Sequence, residues 1–417
     1  MSLEATDEAL SPSLLLDPDV IENPYPFYRR LVDEAPVWCV PGTDIVVISS
    51  FDAVAEAVNR VDDFSSNIHS LVYCNDAGDP ELLPFEAGDG GNALATADPP
   101  VHTVHRSTVF PELVARRMAE LRSDIELLVQ DRIAQALTRS PIEIMDEIAN
   151  AIPIRVVSKL IGFRAEDPER LLDAAFDSTA MLAATQPLSE ILTRMERTAE
   201  IFFWIGDQLQ QAMDGGGEGI LGVIATAVNS GDMELGEGLV IMHTLLSAGG
   251  ESTTSLLGNA IHLLATKPDL QARLRGETEL ITPFIEEVLR LESPFRYHLR
   301  HAAQTSELLG VEIRAGSTVL LLWAAANRDP SKFDRPNEVV LDRSAPRLHL
   351  GFGRGIHHCV GAPLARLEAQ IVLTRFLEQT AQFVLDPHYP PTRVQSLMVR
   401  RFSSLPLLAT SSALRST

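Results

Sequence analysis

The segment FGRGIHHCVG sets Phe352, Gly353, Gly355, His357, Cys359 and Gly361 at fixed offsets and runs directly into APLARLEAQIVLTRFLEQ, a stretch of helical character. A cysteine ligates metal as its thiolate, and the thiolate is favoured where backbone N–H groups and a helix N-terminus point at the sulfur. Val360, Gly361 and a helix starting near Ala362 supply that setting, with Pro363 in the first turn, where a missing N–H costs nothing. Gly353, Gly355 and Gly361 let the backbone turn sharply and pass close to a flat ligand. The chemistry this predicts is haem iron held by an axial cysteine thiolate, which pushes electron density onto iron and favours O–O cleavage. A buried structural thiol in a glycine-rich loop is the plainer alternative, but it accounts for Cys359 alone and leaves the other five positions without a reason.

Activating oxygen takes two electrons and two protons, the protons coming from a positioned acid, an alcohol or a water chain. An apolar run over residues 239–265 reads as a long buried helix, and its middle is AGGESTT, residues 248–254. A Gly-Gly-Glu-Ser run in mid-helix has no propensity-based excuse. Hydrocarbon would penalise those residues, so the apolar run is not expected to cross a membrane.

With these two segments in view, the chain resembles the cytochrome P-450 superfamily. FGRGIHHCVG fits that family's Phe-Gly-x-Gly-x-His-x-Cys-x-Gly pattern at every position, and the similarity extends from NPYPFYRRL at 23–31 through the cysteine loop, in the manner of soluble actinobacterial-type members. The resemblance implies haem b as cofactor, Cys359 as its axial ligand, and Phe352, Gly353 and Gly361 in the loop around it. It makes Glu251 the acid and Ser252 the alcohol of oxygen activation, with Ala248 and Gly249 small enough for the helix to lie against the haem. Serine stands where threonine is usual; it keeps the hydroxyl but loses the methyl that restricts its rotamer. Thr253 is the nearby substitute, turned about 100° away around a helix.

Haem also carries two propionates, which demand cations or hydrogen-bond donors. His102 and Arg106 are four apart and share a helical face, Arg300 follows in an extended segment, and His349 and His357 frame the cysteine loop. Each resembles a family propionate ligand at its motif position, whereas His105 fits no role. Glu287 and Arg290, three apart, resemble the family's Glu-x-x-Arg structural pair, completed by Arg335 or Arg343. The distal pocket is expected from Met242, Leu245, Leu246, Phe295, Leu299, Leu397 and Met398, with Ser247 and an early loop near 72–95. Arg296, Tyr297 and His298 alternate in direction, so some of them face away.

Around these groups the pattern is helical from about 112 to 290, with β-like runs at DIVVIS (44–49) and GSTVLLLW (316–323). The fold class expected is mainly α with a smaller β region: one domain over 1–417, β portions near 35–60 and 300–410, and a helical body over 100–292. Segments 64–97 and 176–218 read as irregular, the first as a candidate substrate cover and the second as a candidate hinge. A net charge of −23 excludes nucleic acid and anionic membrane as expected partners. Arg347, Arg354 and Arg366 nonetheless gather near the cysteine loop, where an acidic electron carrier would dock. The N-terminus lacks a signal-like or anchor-like run, and Cys39 and Cys74 form no CxxC or zinc spacing, so a cytoplasmic protein without a membrane anchor is expected.

The function implied is a haem-thiolate monooxygenase that inserts one oxygen atom from O2 into a hydrophobic small molecule, C–H hydroxylation first. Its electrons come from a separate ferredoxin or flavodoxin and its reductase, since no GxGxxG βαβ unit or four-cysteine cluster is present. A peroxide-driven peroxygenase or isomerase, and a non-catalytic haem-thiolate sensor, are the alternatives.

Overall fold

In the computed structural model, residues 10–85, 91–164 and 167–412 are described. The first nine residues of the acidic N-terminus, and 86–90 of the expected cover, lie outside them. The helix Leu235–Ala265 is the longest described, and the helices Ala151–Ile161, Pro168–Ala180, Leu188–Gly215 and Ala362–Gln379 pack against it. It opens with the Glu234 N–H donating to Glu237 Oε2 at 2.9 Å and ends at Thr266, ahead of Pro268. A Cβ at position 249 would come within 2.8 Å of Val157 Cγ2, and one at 250 within 3.2 Å of Ile154 Cδ1. The helical cost of this glycine pair is therefore offset by close approach of the helix Ala151–Ile161. On the cysteine side, Ala362–Gln379 packs against Ala115–Ala136 and Ile281–Leu291.

Both expected strands form. Ile45–Ile48 runs parallel to Thr318–Leu321, with Thr318 opposite Ile45, and Thr318–Leu321 pairs antiparallel with His298–Ala302, Leu320 opposite Leu299. Val37–Cys39 and Phe64–Ser65 complete this five-stranded sheet. Period-two alternation along His298–Ala302 then points His298 and Arg300 to one face and Leu299 to the other. One short strand, Ile142–Glu143, falls inside the expected helical body, where it pairs with Pro406–Ser411.

Two irregular segments turn out regular. Residues 176–218 are largely the helices Pro168–Ala180 and Leu188–Gly215, the second burying Ile201, Ile205, Leu209 and Ala212. That spacing is a helical stripe, blurred in sequence by the FFW run at 202–204, whose Phe203 is 78% exposed. Residues 64–97 contain a hairpin of Ser70–Cys74 with Pro80–Pro84. Its turn is held by Asn75, whose Oδ1 accepts the N–H groups of Ala77 and Asp79. Prolines at both ends of the second strand hid it. Among the described residues, no helix is long and apolar enough to cross a membrane.

Candidate active site

Cys359 stands between the short turn Gly355–His357 and the helix that starts at Ala362. Its own N–H donates to the Phe352 carbonyl at 2.9 Å, closing the loop. Gly353 and Gly355 lie at φ 66° and 74°, the left-handed region that disfavours other residues. The sulfur opens onto an internal cavity. Burial pushes the thiol's pKa up, while N–H groups of Gly361 and Ala362 and the cations of Arg106 and Arg366 pull against it. Those N–H groups are the donors that a ligating thiolate requires. Arg366 also lies 4.4 Å over the Phe352 ring.

The same cavity is lined by His102, Arg106, His298, Arg300 and His357. Arg106 donates to the His358 carbonyl at 2.9 Å and Arg300 to its neighbour's carbonyl at 2.7 Å; among the described residues neither has an ion pair. Burial draws the Arg300 pKa down to about 10, Asp98 opposing. The His102 and His357 rings lie 4.2 Å apart, and His102 Nε2 is a buried polar atom without a partner. His357 engages the Ser66 hydroxyl at 2.9 Å and is held neutral, its pKa pulled down to about 3 by burial first and then by Arg300, His102, Arg106 and His298 beside it. Unanswered cations and an orphaned imidazole around a cavity walled by a cysteine fit an anionic iron macrocycle.

His349 does not join this set. Its Nε2 meets Glu286 Oε2 at 2.9 Å and its Nδ1 accepts the Gly351 N–H, so both ring nitrogens are committed behind the loop. Of the alternating Arg296, Tyr297 and His298, the one that reaches the cavity is His298. Trp323 Nε1 donates to its Nδ1 at 2.7 Å, fixing the tautomer, and both side chains line the cavity. The signal was available in the alternation that pairs it with Arg300. Arg296 instead points into the protein, bonding the Ile21 and Val399 carbonyls, and the Tyr297 hydroxyl bonds the Leu182 carbonyl.

On the central helix, Ala248, Gly249, Ser252 and Thr253 reach the cavity. The Ser252 hydroxyl donates back to the Ala248 carbonyl at 2.6 Å. Glu251 lies off the cavity wall: Oε1 accepts Arg401 Nε at 2.7 Å and Oε2 accepts the Thr179 hydroxyl at 3.1 Å. Burial raises the pKa of this carboxyl, and Arg401 and Thr179 counter it only in part. The acid and the alcohol therefore occupy different faces of one helical turn.

Of the expected pocket residues, Leu245 and Phe295 line the cavity. Met242, Leu246, Leu397 and Met398 are buried in the core, and Leu299 faces away from Arg300's side of its strand. Apolar type alone did not distinguish packing from pocket. The apolar walls are supplied by Leu94, Leu160, Ile161, Ile220 and Leu256.

Behind the loop, Arg290 donates to both Glu287 oxygens, at 2.7 and 2.9 Å, and to the carbonyls of Asn327, Pro336 and Glu338. Arg343 completes the pair at 2.8 Å from Glu287 Oε1, while Arg335 meets only Asp334. Next door, Arg366 and His349 hold Glu286, with Arg347 at 3.6 Å, so this carboxylate offsets part of the basic patch expected there. Burial would raise the Glu286 pKa, but His349 and Arg366 outweigh it and push it down to about 2. Glu292 is also lowered to about 2, burial outweighed by Arg400, Arg393 and Arg328. Folded values below the unfolded ones contribute stability present above the ordinary glutamate range and lost as pH falls through the folded value. The thermal midpoint of the haem-loaded protein is therefore expected to drop as pH falls from about 4.5 toward about 2. A midpoint unchanged across that window would overturn this account.

Comparison with known proteins places these features in company. A family profile described as Cytochrome P450 matches residues 220–399. Cytochrome P450 144 of Mycobacterium tuberculosis is 38% identical, over 93% of this chain and 89% of its own. Cytochrome P450 monooxygenase PikC of Streptomyces venezuelae is 33% identical, over 89% and 87%. Among solved structures, CYP109E1 of Bacillus megaterium, crystallised with testosterone, superimposes with a TM-score of 0.84 at 26% identity, covering 94% of this chain and 99% of that one.

Proposed function

Because the chain belongs to the cytochrome P450 family and is a haem-dependent monooxygenase, we propose that it hydroxylates C–H bonds of a hydrophobic small molecule. The single observation that carries this reading is one cavity, walled mainly by apolar side chains, onto which Cys359, Ser252 and the cationic cluster all open. The cofactor it would hold is haem b, with the Cys359 thiolate to ligate the iron, Arg106, Arg300, His102, His298 and His357 to answer its carboxylates, and Gly249 and Ala248 giving the helix room. When bound, haem supplies the iron at which dioxygen is reduced and split.

The chain's own groups then manage protons and water. Ser252 Oγ is a hydroxyl at the cavity, free to exchange its bond to the Ala248 carbonyl for one to a cavity water. Glu251 is the buried acid behind it; Arg401 and Thr179 orient its carboxyl, and its raised pKa makes the neutral, donating form more accessible. Leu245, Phe295 and Leu256 exclude bulk water and hold an apolar substrate. Electrons come from a ferredoxin or flavodoxin with its reductase, docking near Arg354 on the exposed side of the cysteine loop. The free thiols Cys39 and Cys74 accord with a reducing cytoplasm. The steroid bound by CYP109E1 supports a lipophilic substrate, and a screen of such compounds for a low-spin to high-spin shift tests it. A shift produced only by charged, hydrophilic compounds would overturn the substrate class.

Ser252→Ala separates the proton step from cofactor binding. Haem content and the carbon monoxide spectrum are expected to stay unchanged, while product formed per electron pair consumed falls by roughly tenfold or more and hydrogen peroxide accounts for the difference. Unchanged coupling would move the proton step to Thr253 or to water.

A further inference from the structure

His105 is buried and belongs to neither the cavity lining nor the ion-pair networks behind the loop. It sits on the helix Val101–Val109, between His102 and Arg106, yet unlike them is not part of the cavity wall. Its Nδ1 accepts the Leu94 N–H at 3.2 Å, and its Nε2 lies 3.3 Å from Glu237 Oε1. Leu94 and Ala95 are cavity wall, and Leu94 lies at φ 48°, a conformation that a leucine side chain disfavours. The rest of that turn closes on itself, Ala93 N–H to the Thr96 hydroxyl and Thr96 N–H to the Ala93 carbonyl. The Leu94 N–H is the donor that finds its partner across the fold. Glu237 is anchored in turn, its other oxygen accepting the Glu234 N–H at the start of the central helix.

We propose that His105 is a positioning residue for the substrate wall: through Leu94 on one ring nitrogen and Glu237 on the other, it fastens the wall turn Leu94–Thr96 to the first turn of the central helix. The bonding pattern selects one neutral tautomer, Nδ1 accepting and Nε2–H donating. A strained turn held by one imidazole keeps Leu94 and Ala95 at a fixed distance from the oxygen-activating face of the helix. The inference rests on the proposed substrate cavity, but its test does not depend on turnover.

The two ring nitrogens are separable by substitution. In His105→Asn the side-chain oxygen takes the place of Nδ1 and retains the Leu94 bond; in His105→Gln the longer amide reaches Glu237 and leaves Leu94 unpartnered. Hydrogen exchange of the haem-loaded protein, read on peptides covering 93–97, is expected to be slow in the wild type, intermediate in H105N, which keeps the Leu94 bond but loses the Glu237 contact, and roughly tenfold or more faster than wild type in H105Q. Glu237→Ala, which frees the other end of the ring, is expected to speed it as well. The bulky azole clotrimazole is expected to lose roughly fivefold or more in affinity in H105Q and to recover part of it in H105N, while imidazole stays within about twofold. Equal exchange in H105N and H105Q, or wild-type exchange in both H105Q and E237A, would overturn the proposal. The carbon monoxide spectrum of each variant reports separately on the cysteine site, so a failure of that reading is not confused with a failure of this one.

Discussion

Cys359→Ser is expected to lose the red-shifted Soret band of its reduced carbon monoxide complex, and with it oxygenation of any substrate. The loop itself survives the change, because its closure uses the backbone N–H at position 359 and the Phe352 carbonyl rather than the sulfur. What disappears is the anion: a serine hydroxyl titrates far above a thiol, and two N–H groups with two neighbouring cations are not enough to ionise it. Loss of groups that merely support a metal ligand costs about 10–100-fold. Loss of the ligand is therefore expected to reduce turnover by roughly a hundredfold or more. Measuring haem content beside the spectrum separates ligation from cofactor loss. A variant with the thiolate-type band and full turnover would sink the assignment of Cys359.

The second large effect lies where no substrate goes. Glu287→Gln leaves the Arg290 guanidinium, 1% exposed at its side chain, without its counter-charge, and weakens the hold on Arg343. Burial favours the neutral form of both partners, the Arg290 pKa falling for that reason, yet arginine stays protonated and Glu287 is held ionised by Arg290, Val340 N–H and Arg343. Removing one member of such a pair costs about 3–5 kcal/mol. Total stability is about 5–15 kcal/mol, so the variant is expected to unfold at markedly lower temperature and to retain little haem. Arg335→Ala is the control: Arg335 is half exposed at its side chain and pairs only with Asp334, so haem content and midpoint are expected to match the wild type. A wild-type midpoint in E287Q would show that the network is not structural, and a loss in R335A equal to that in E287Q would show that the arginine was wrongly assigned.

What the sequence determined by itself was local. The cysteine loop, the AGGESTT break in the apolar run of the central helix, the Glu287–Arg290 spacing and the two core strands are each written within a few residues, where offset alone dictates the shared face or the turn. His102, Arg106, Arg300 and His357 were legible because motif spacing carries them, although their meeting in one cavity is a product of the fold. Tertiary structure decided the rest. His349 and Glu251 are of the right type in the right segments, but partners distant in sequence, Glu286 for one and Arg401 and Thr179 for the other, turn them away from the cavity. Arg343 rather than Arg335 completes the ion pair because the backbone at 335 presents its carbonyl to Arg343 while its own side chain meets solvent. Met242 and Leu246 lie only about 60° and about 100° round the helix from Leu245, and neighbouring helices choose which of those faces is packed and which is left open. His105 carried no signal at all, since its two partners lie 11 residues before it and on a helix more than a hundred residues later. A side chain's chemistry is local, whereas its destination depends on everything packed against it.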